Sequence, residues 1–272
     1  IRPNLKGTTE KVGWVETDVI LQDLSCGFDP TGDTVQNLVT VDLCNKKMNT
    51  QLCPYNLYDS YLSQSLSNAN FQESVPFEET ILTDISNRIA RQVELQLWNN
   101  TIASGGTYGS ACFDGVGALV TSGNGATQIA YTAATATNGL EVFSTIYQSI
   151  PENVLHRDDL VIFCSYANYR ALVASMRNSS YVNLFTADFG GAASGEEWSL
   201  MLPGTNVRVI PSVGITANAY YAGPAGYYMV GMNSEIMTVK SVYDPFEDIV
   251  KIQAHVTYGL GIFSVDSFCI CA

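Results

Sequence analysis

Histidine is nearly missing from this chain of 272 residues, which has two, His156 and His255. General acid–base and nucleophilic catalysis draw on imidazole more than on any other group, so few such schemes have players here. Positive charge is scarce too: 13 Lys and Arg stand against 26 Asp and Glu, a formal net charge of -13. That balance opposes nucleic-acid affinity, which is driven by cations that release counterions from phosphates. Charged residues make up 14% of the chain, against about 25% in ordinary globular proteins. No apolar run approaches the roughly 20 residues of a membrane-spanning helix, and no basic-then-apolar signal segment opens the chain. An initiator methionine is also lacking. The chain begins Ile1-Arg2-Pro3, and the expectation is that either a protease removed an upstream segment or the sequence is a fragment.

What is present is apolar and neutral. Hydrophobic residues make up 46%, with 15 Tyr, 11 Phe and 22 Gly, enough to fill a core and to leave a surface of uncharged polar groups. Such a surface suits permanent contacts, because little charge has to be desolvated on association. The seven cysteines (Cys26, Cys44, Cys53, Cys112, Cys164, Cys269, Cys271) are an odd number scattered through apolar stretches. They are expected to be free, mostly buried thiols of an intracellular protein. A Cys44–Cys53 pair, or pairing of the terminal cysteines across subunits, is the alternative.

Two segments alternate with period two. Over 12–23 the residues Val15, Thr17, Val19 and Leu21, and over 34–43 the residues Val35, Val39, Val41 and Leu43, fall at alternate positions with Glu16, Asp18, Gln36 and Asp42 between them, the mark of strands with one apolar face. The connector from Cys26 to Asp33 holds the Gly and Pro of a turn, so the pair is expected to form a long antiparallel hairpin. A two-stranded ribbon is marginal alone in water, and a neighbouring subunit is a candidate cover for its face. A helix is expected over 76–99, with Phe77, Ile81, Ile85, Ile89, Val93 and Leu97 in steps of four. Four residues overshoot one turn by 40°, so the stripe drifts around the helix. Further helices are expected over 139–150 and 165–177, with strands over 160–164, 207–210, 227–232, 235–243, 249–258 and 261–270. The fold class is α+β.

The search for chemistry yields little. His255 falls on the exposed side of its strand with Lys251 and Gln253, and His156 lies in a charged loop. Cys269-Ile270-Cys271 is too tight for a zinc knuckle. The loop from Gly105 to Gly109 lacks the Gly-Lys-Ser/Thr ending of a phosphate loop. Asp244, Glu247 and Asp248 read as a solvated turn and not as a calcium loop. Glu196-Glu197-Trp198 suggests the paired carboxylates of a glycosidase, but sits in a Gly-rich stretch read as exposed. No catalytic, cofactor or metal residue is assigned, and the chain is read as a non-enzyme.

In order, an extended hairpin, a short segment at 54–66, a long helix ending Glu94-Leu95-Gln96-Leu97-Trp98-Asn99-Asn100, a mixed region and long returning strands resemble the major capsid protein of tailed double-stranded DNA bacteriophages. The stretch from Pro76 to Trp98 looks like that family's spine helix. The stretch 159–170 looks like its strand followed by a helix opening Ser-x-x-x-Tyr-Arg. The flavour is closest to crAss-like phages of gut Bacteroidetes. The resemblance implies an N-terminal arm (1–9), an extended hairpin loop (10–48) reaching over an adjacent subunit, a peripheral domain (49–135 and 233–272) and an axial domain (136–232). It implies self-assembly into hexamers and pentamers of an icosahedral shell, in the host cytoplasm and then in the virion, with portal or decoration proteins as neighbours. The packaged DNA would be enclosed but not specifically bound, which fits the acidic balance. The hairpin face Val15, Val19, Leu21, Val35, Val39 and Val41 would be the inter-subunit contact. A covalent Lys–Asn crosslink would need a lysine in the loop, and the nearest, Lys11, Lys46 and Lys47, lie at its base. Non-covalent cohesion is therefore expected. The alternatives are another particle-surface or surface-layer structural protein, a tail or decoration protein, or a carbohydrate-active enzyme.

Overall fold

The alternating segments near the N-terminus pair as a hairpin, β2 (Thr9–Thr17) with β3 (Thr34–Asp42). The computed structural model describes residues 2–3, 9–17, 23, 26–27, 32, 34–53, 77–102, 112–179, 200–216, 218–233, 238–247 and 249–271. Past Leu43, β3 gives way to β4 (Cys44–Leu52), a strand the sequence reading left out because it shows almost nothing apolar. β4 lies along β12 (Ile249–Ile262) from Leu52↔Val250 to Cys44↔Tyr258. The other edge of β12 takes β11 (Thr238–Asp244) and then β10 (Tyr228–Met232). β1 (Arg2–Pro3) pairs with β10 in parallel and completes a five-stranded sheet.

This sheet has two unlike faces. Ile252, Ala254, Tyr258, Leu260 and Ile262 are buried on one of them, which is covered by α1 (Phe77–Asn99), the expected long helix. Ile85 is buried, and Val93, Leu97 and Trp98 reach the core shared with Tyr258 and Leu260. Tyr258 donates its hydroxyl hydrogen bond to Gln96 of the helix. The helix ends where the Asn99 side chain donates to the carbonyls of Leu95 and Gly214, and that of Asn100 to Phe113. These side chains take over carbonyls and fix the chain's exit from the last turn.

A second, six-stranded sheet runs β5-β13-β9-β6-β8-β7. Its members are β5 (Thr127–Ile129), β6 (Leu160–Ser165), β7 (Leu200–Met201), β8 (Arg208–Ser212), β9 (Tyr220–Pro224) and β13 (Cys269–Cys271). On one face Leu160, Ile162, Cys164, Tyr220 and Ala222 pack under α3 (Gly139–Gln148) and α4 (Tyr166–Asn178) through Phe143, Ile146, Leu172 and Met176. Ser165 caps α4 by accepting from the Asn168 N–H at 3.3 Å, as the Ser-x-x-x-Tyr-Arg opening suggests. Gly139 lets the two helices touch: a Cβ there would stand 2.9 Å from the carbonyl oxygen of Ala171. The other face of this sheet brings Phe163, Tyr221 and Ile270 into the core under α1, to which α2 (Val116–Leu119) adds Val116. The layers are therefore helix pair, six-stranded sheet, α1, five-stranded sheet and hairpin root.

Three expectations need correction. The strands foreseen at 249–258 and 261–270 are one strand, β12, running unbroken to Ile262, and only Cys269–Cys271 pairs elsewhere. Sheet membership crosses the expected domain borders, since β5 and β13 join the sheet of β6 while β10 joins that of β12. The cysteines are not all free: Cys44 and Cys112 form a disulfide, and Cys53 is not its partner. The Cα atoms of Cys44 and Cys112 are 6.0 Å apart, a normal bridging distance, although 68 residues separate them. Alkylation in denaturant without reductant should therefore label five thiols, Cys26, Cys53, Cys164, Cys269 and Cys271, and with reductant seven. Cys112→Ser should cost about 2–4 kcal/mol in denaturant melts, the usual worth of a bridge closing a long loop. Seven labelled thiols before reduction would refute the pairing.

Candidate assembly surfaces

A hairpin becomes a tool for reaching outward only if its root is held, and the root here is held by glycine. On the outward face of the five-stranded sheet the β12 side-chain row ends in Gly259 and Gly261. The root of β3 crosses directly over them. A Cβ at Gly261 would meet Cγ2 of Val41 at 2.7 Å, and one at Gly259 would lie 2.9 Å from the carbonyl carbon of Asp42 and closer still to its oxygen. Val12, Val41, Leu43 and Met229 are buried together at this crossing, with Val39 and Phe263 against them. Thr9 Oγ1 donates to Asp42 at 2.9 Å across the hairpin base.

The register divides the expected contact face. Val12 lies opposite Val39 and Glu10 opposite Val41, whereas Val15 lies opposite Gln36. Directly opposed residues share a side, so Val35, Val39 and Val41 lie on the sheet-facing side with Val12. Val15 lies on the other side with Leu38, and the expected single face is two. Val41 is fully buried within its own subunit and Val39 half-buried, while Val15, Leu38 and Val35 are 63%, 58% and 48% exposed. Val19 and Leu21 fall outside the described residues. Sequence reasoning missed Val12 and Leu38. Their signal was hidden because Val12, Trp14 and Val15 fit either phase of the alternation.

Below the glycines the outward face is open. Its β12 row is Lys251, Gln253, His255 and Thr257, opposed by Gln51, Asn49, Lys47 and Asn45 of β4 and by Val242, Lys240 and Thr238 of β11. Lys251 holds Asp244 and Glu247, each at 2.8 Å, and these carboxylates raise the lysine's affinity for its proton. Asp244 is correspondingly held below the usual carboxylate range, first by that hydrogen bond. Lys47 and Lys240 make no ion pair among the described residues. β11 is an edge strand with Val239, Val242 and Tyr243 exposed, and Phe246 at its turn is 97% exposed.

Two clamps fix the sheets to one another. Glu94 of α1 accepts from Ser212 Oγ at 2.6 Å and from the Val213 N–H at 3.1 Å. Trp98, one turn on, packs on Phe163, Tyr221 and Tyr228 with ring centroids 5.1, 5.4 and 6.3 Å away. At the far end Arg157 makes a two-pronged pair with Asp159, at 2.7 and 2.9 Å, and stacks 4.8 Å over Tyr227. Asp159 also accepts from the Gly226 N–H. The Arg157 hydrogen bond, more than any other cause, holds its carboxyl below the usual range.

The residues weighed for chemistry stay apart. His156 is exposed in its loop, and His255 is half-buried on the outward sheet face beside Lys47. Glu196, Glu197, Trp198 and Gly105 to Gly109 lie outside the described residues. Among the described residues no three His, Cys, Asp or Glu side chains gather as a metal site, and no helix is long and apolar enough to cross a membrane.

No protein-family model matches this chain, and no curated protein matches it in sequence. Solved structures that share its fold include capsids of a phage and of a GTA particle and a satellite-phage procapsid. The capsid of a native GTA particle superimposes with a TM-score of 0.58 at 14% identity, over 98% of this chain and 86% of that one. The capsid of Myoviridae phage XM1 gives 0.55 at 12% identity over 98% and 86%. A chain of Mycobacterium phage Cain gives 0.56 at 10% identity over 99% and 86%. The chain thus has the α+β fold seen in phage capsid proteins, a likeness of fold carried by almost its whole length.

Proposed function

We propose that this chain is the major capsid subunit of a tailed double-stranded DNA phage, and that its copies form the hexamers and pentamers of an icosahedral shell around the genome. The observation that carries the reading is the anchored hairpin: its root is buried on the subunit's own sheet, while Val15, Leu38 and Val35 farther out are bare. An apolar reach of this kind is incomplete without a neighbour. The capsid fold over nearly the whole chain supports the same conclusion. The hairpin is then the extended loop. The five-stranded sheet with α1 forms the peripheral domain, and the six-stranded sheet with α3 and α4 the axial domain. The role is structural, with no catalytic residue and no cofactor, and cohesion between subunits is non-covalent. The net charge of -13 suits a lining along which packed DNA slides without adhering. Removal of an upstream segment by a maturation protease, contacts with portal or decoration proteins, assembly in the host cytoplasm and a place among the crAss-like phages belong to the same reading.

The test is direct. The chain, expressed with any upstream segment its gene encodes, should yield closed particles of uniform diameter by electron microscopy of the purified protein. Flat lattices, open tubes, or a protein that stays monomeric at every concentration would overturn the proposal.

A further inference from the structure

The one disulfide among the described residues sits at the base of the hairpin. Cys44 opens β4 just past Asp42, where the hairpin root crosses the sheet, and its side chain is buried in the inner core opposite Tyr258. Cys112, its partner, lies at the surface. The residues that follow Cys112 are fastened to the end of α1. Phe113 is buried edge-on against Tyr258, with ring centroids 5.6 Å apart, and its carbonyl accepts from the Asn100 side chain. The Gly115 N–H donates to the Asn100 carbonyl at 2.8 Å, and the Ile102 N–H to the Asp114 carboxylate at 2.7 Å. The bridge therefore joins a segment held by α1 to the strand that carries the hairpin. Val12, Val41 and Met229 grip the hairpin root from the outward side of the sheet, and the bridge pins it from the inward side.

Solvent reaches the two sulfurs unequally. Thiol–disulfide exchange begins at the sulfur a reagent can touch and is completed by a second thiol held beside it, and here Cys112 is the accessible member and Cys44 the covered one. Other thiols are poorly placed to intercept. Cys53 lies past the far end of β4, about 30 Å from Cys44 at 3.3 Å per residue. Cys164, Cys269 and Cys271 are buried in the six-stranded sheet, where burial pushes the Cys164 and Cys269 thiols up to about 12 and keeps them protonated. We propose that Cys112 is an oxidation site for a low-molecular-weight disulfide of the glutathione class, with Cys44 as the resolving thiol, and that the bridge is a latch that fixes the hairpin root after assembly. The Cys112 thiolate attacks the small disulfide, expels one small thiol and keeps the other in a mixed disulfide. Cys44 then gives up its proton and attacks the Cys112 sulfur, and the second small thiol leaves with a proton. The two protein thiols lose two electrons, and one small disulfide becomes two thiols. A reducing cytoplasm holds the latch open while subunits assemble, and an oxidising medium closes it after release. The latch is a property of the subunit, whereas its closing after assembly rests on the capsid reading.

The experiment compares reduced and oxidised protein. Protein prepared under dithiothreitol, freed of it and treated with oxidised glutathione should go from seven titratable thiols to five. Hydrogen exchange of the backbone amides from Val41 to Asn45 should slow about tenfold on the same treatment, because opening there now has to carry the Cys112 segment with it. Cys112→Ser should show neither change and should melt like the reduced parent, which checks its folding. Cys26→Ser and Cys53→Ser should keep the slowed exchange. Reduced parent and Cys112→Ser should assemble equally well, and oxidation should then make shells of the parent alone release subunits in denaturant about tenfold more slowly. Unchanged exchange at Val41 to Asn45 once the bridge has formed would overturn the latch. An effect lost in Cys26→Ser and kept in Cys112→Ser would overturn it too, by placing the oxidation between subunits. A bridge already complete in protein alkylated inside reducing cells would refute its closing after assembly. A parent that forms no shells in either state refutes the capsid reading, and the exchange measurement on the subunit still decides the latch.

Discussion

With residues 16–36 replaced by a short Gly-Ser linker, the protein should still fold and melt cooperatively, and should form no shells. The cut leaves the whole root in place: Val12, Val39, Val41 and Leu43 remain on Met229 over the glycines. Trp14 and Asn37 are direct partners in the hairpin, so a few flexible residues close the new ends without strain. Among the described residues that are removed, Val35 and Gln36 are exposed, and loss of exposed side chains changes stability by about 0.5 kcal/mol or less. On the proposed reading, assembly by contrast loses the hairpin's reach to the next subunit. Circular dichroism and light scattering on one variant settle the matter. Normal shells would show that the hairpin does not join subunits, and a protein without structure would show that the hairpin completes its own subunit's core.

How far the sequence foretold this depends on what each residue had to reveal. α1 was legible because a buried stripe on a helix repeats at a spacing that no other structure shares. Its end was legible too, in Glu94, Trp98 and Asn99, although their partners Ser212, Phe163 and Gly214 lie more than sixty positions away. The hairpin strands were legible as strands but not in phase, because their relative register is set by the connection between Thr17 and Thr34, whose geometry alternation does not encode. β4 was illegible because it is polar on its outward side and reads Cys44, Lys46, Met48 and Thr50 on the other, which is barely apolar. β9 was hidden for the opposite reason: buried on both faces as Tyr-Tyr-Ala-Gly-Pro, it shows no alternation, and its Gly and Pro signal a turn. The Cys44–Cys112 pair could not be read at all, since spacing along the chain does not report distance in space. For the candidate surface, the apolar residues were half visible, and the basic face was invisible until three strands were laid side by side.

Gly259→Ala should be the most damaging single methyl group that can be added to the five-stranded sheet, because the obstacle is backbone. The new Cβ would stand 2.9 Å from the carbonyl carbon of Asp42 and nearer to its oxygen. A side-chain tip can rotate aside, but a carbonyl between β3 and β4 moves only if both strands move, and β4 is paired to β12 along its length. The root must therefore lift from the sheet, exposing Val41 and separating it from Met229 and Gly261. Overpacking of this kind costs about 3 kcal/mol, or roughly 6–12 °C in melting temperature for a chain of this size. The hairpin, no longer aimed along the outward face, should also fail to engage its neighbour, so particle yield should fall more steeply than stability explains. Gly123→Ala is the control, since a Cβ there meets nothing nearer than Thr121 Oγ1 at 3.9 Å, and it should change neither measurement. Gly261→Ala should fall between the two, because there the obstacle is the movable side chain of Val41. A Gly259→Ala protein that melts and assembles like the parent would mean that the hairpin root does not cross the sheet at these glycines.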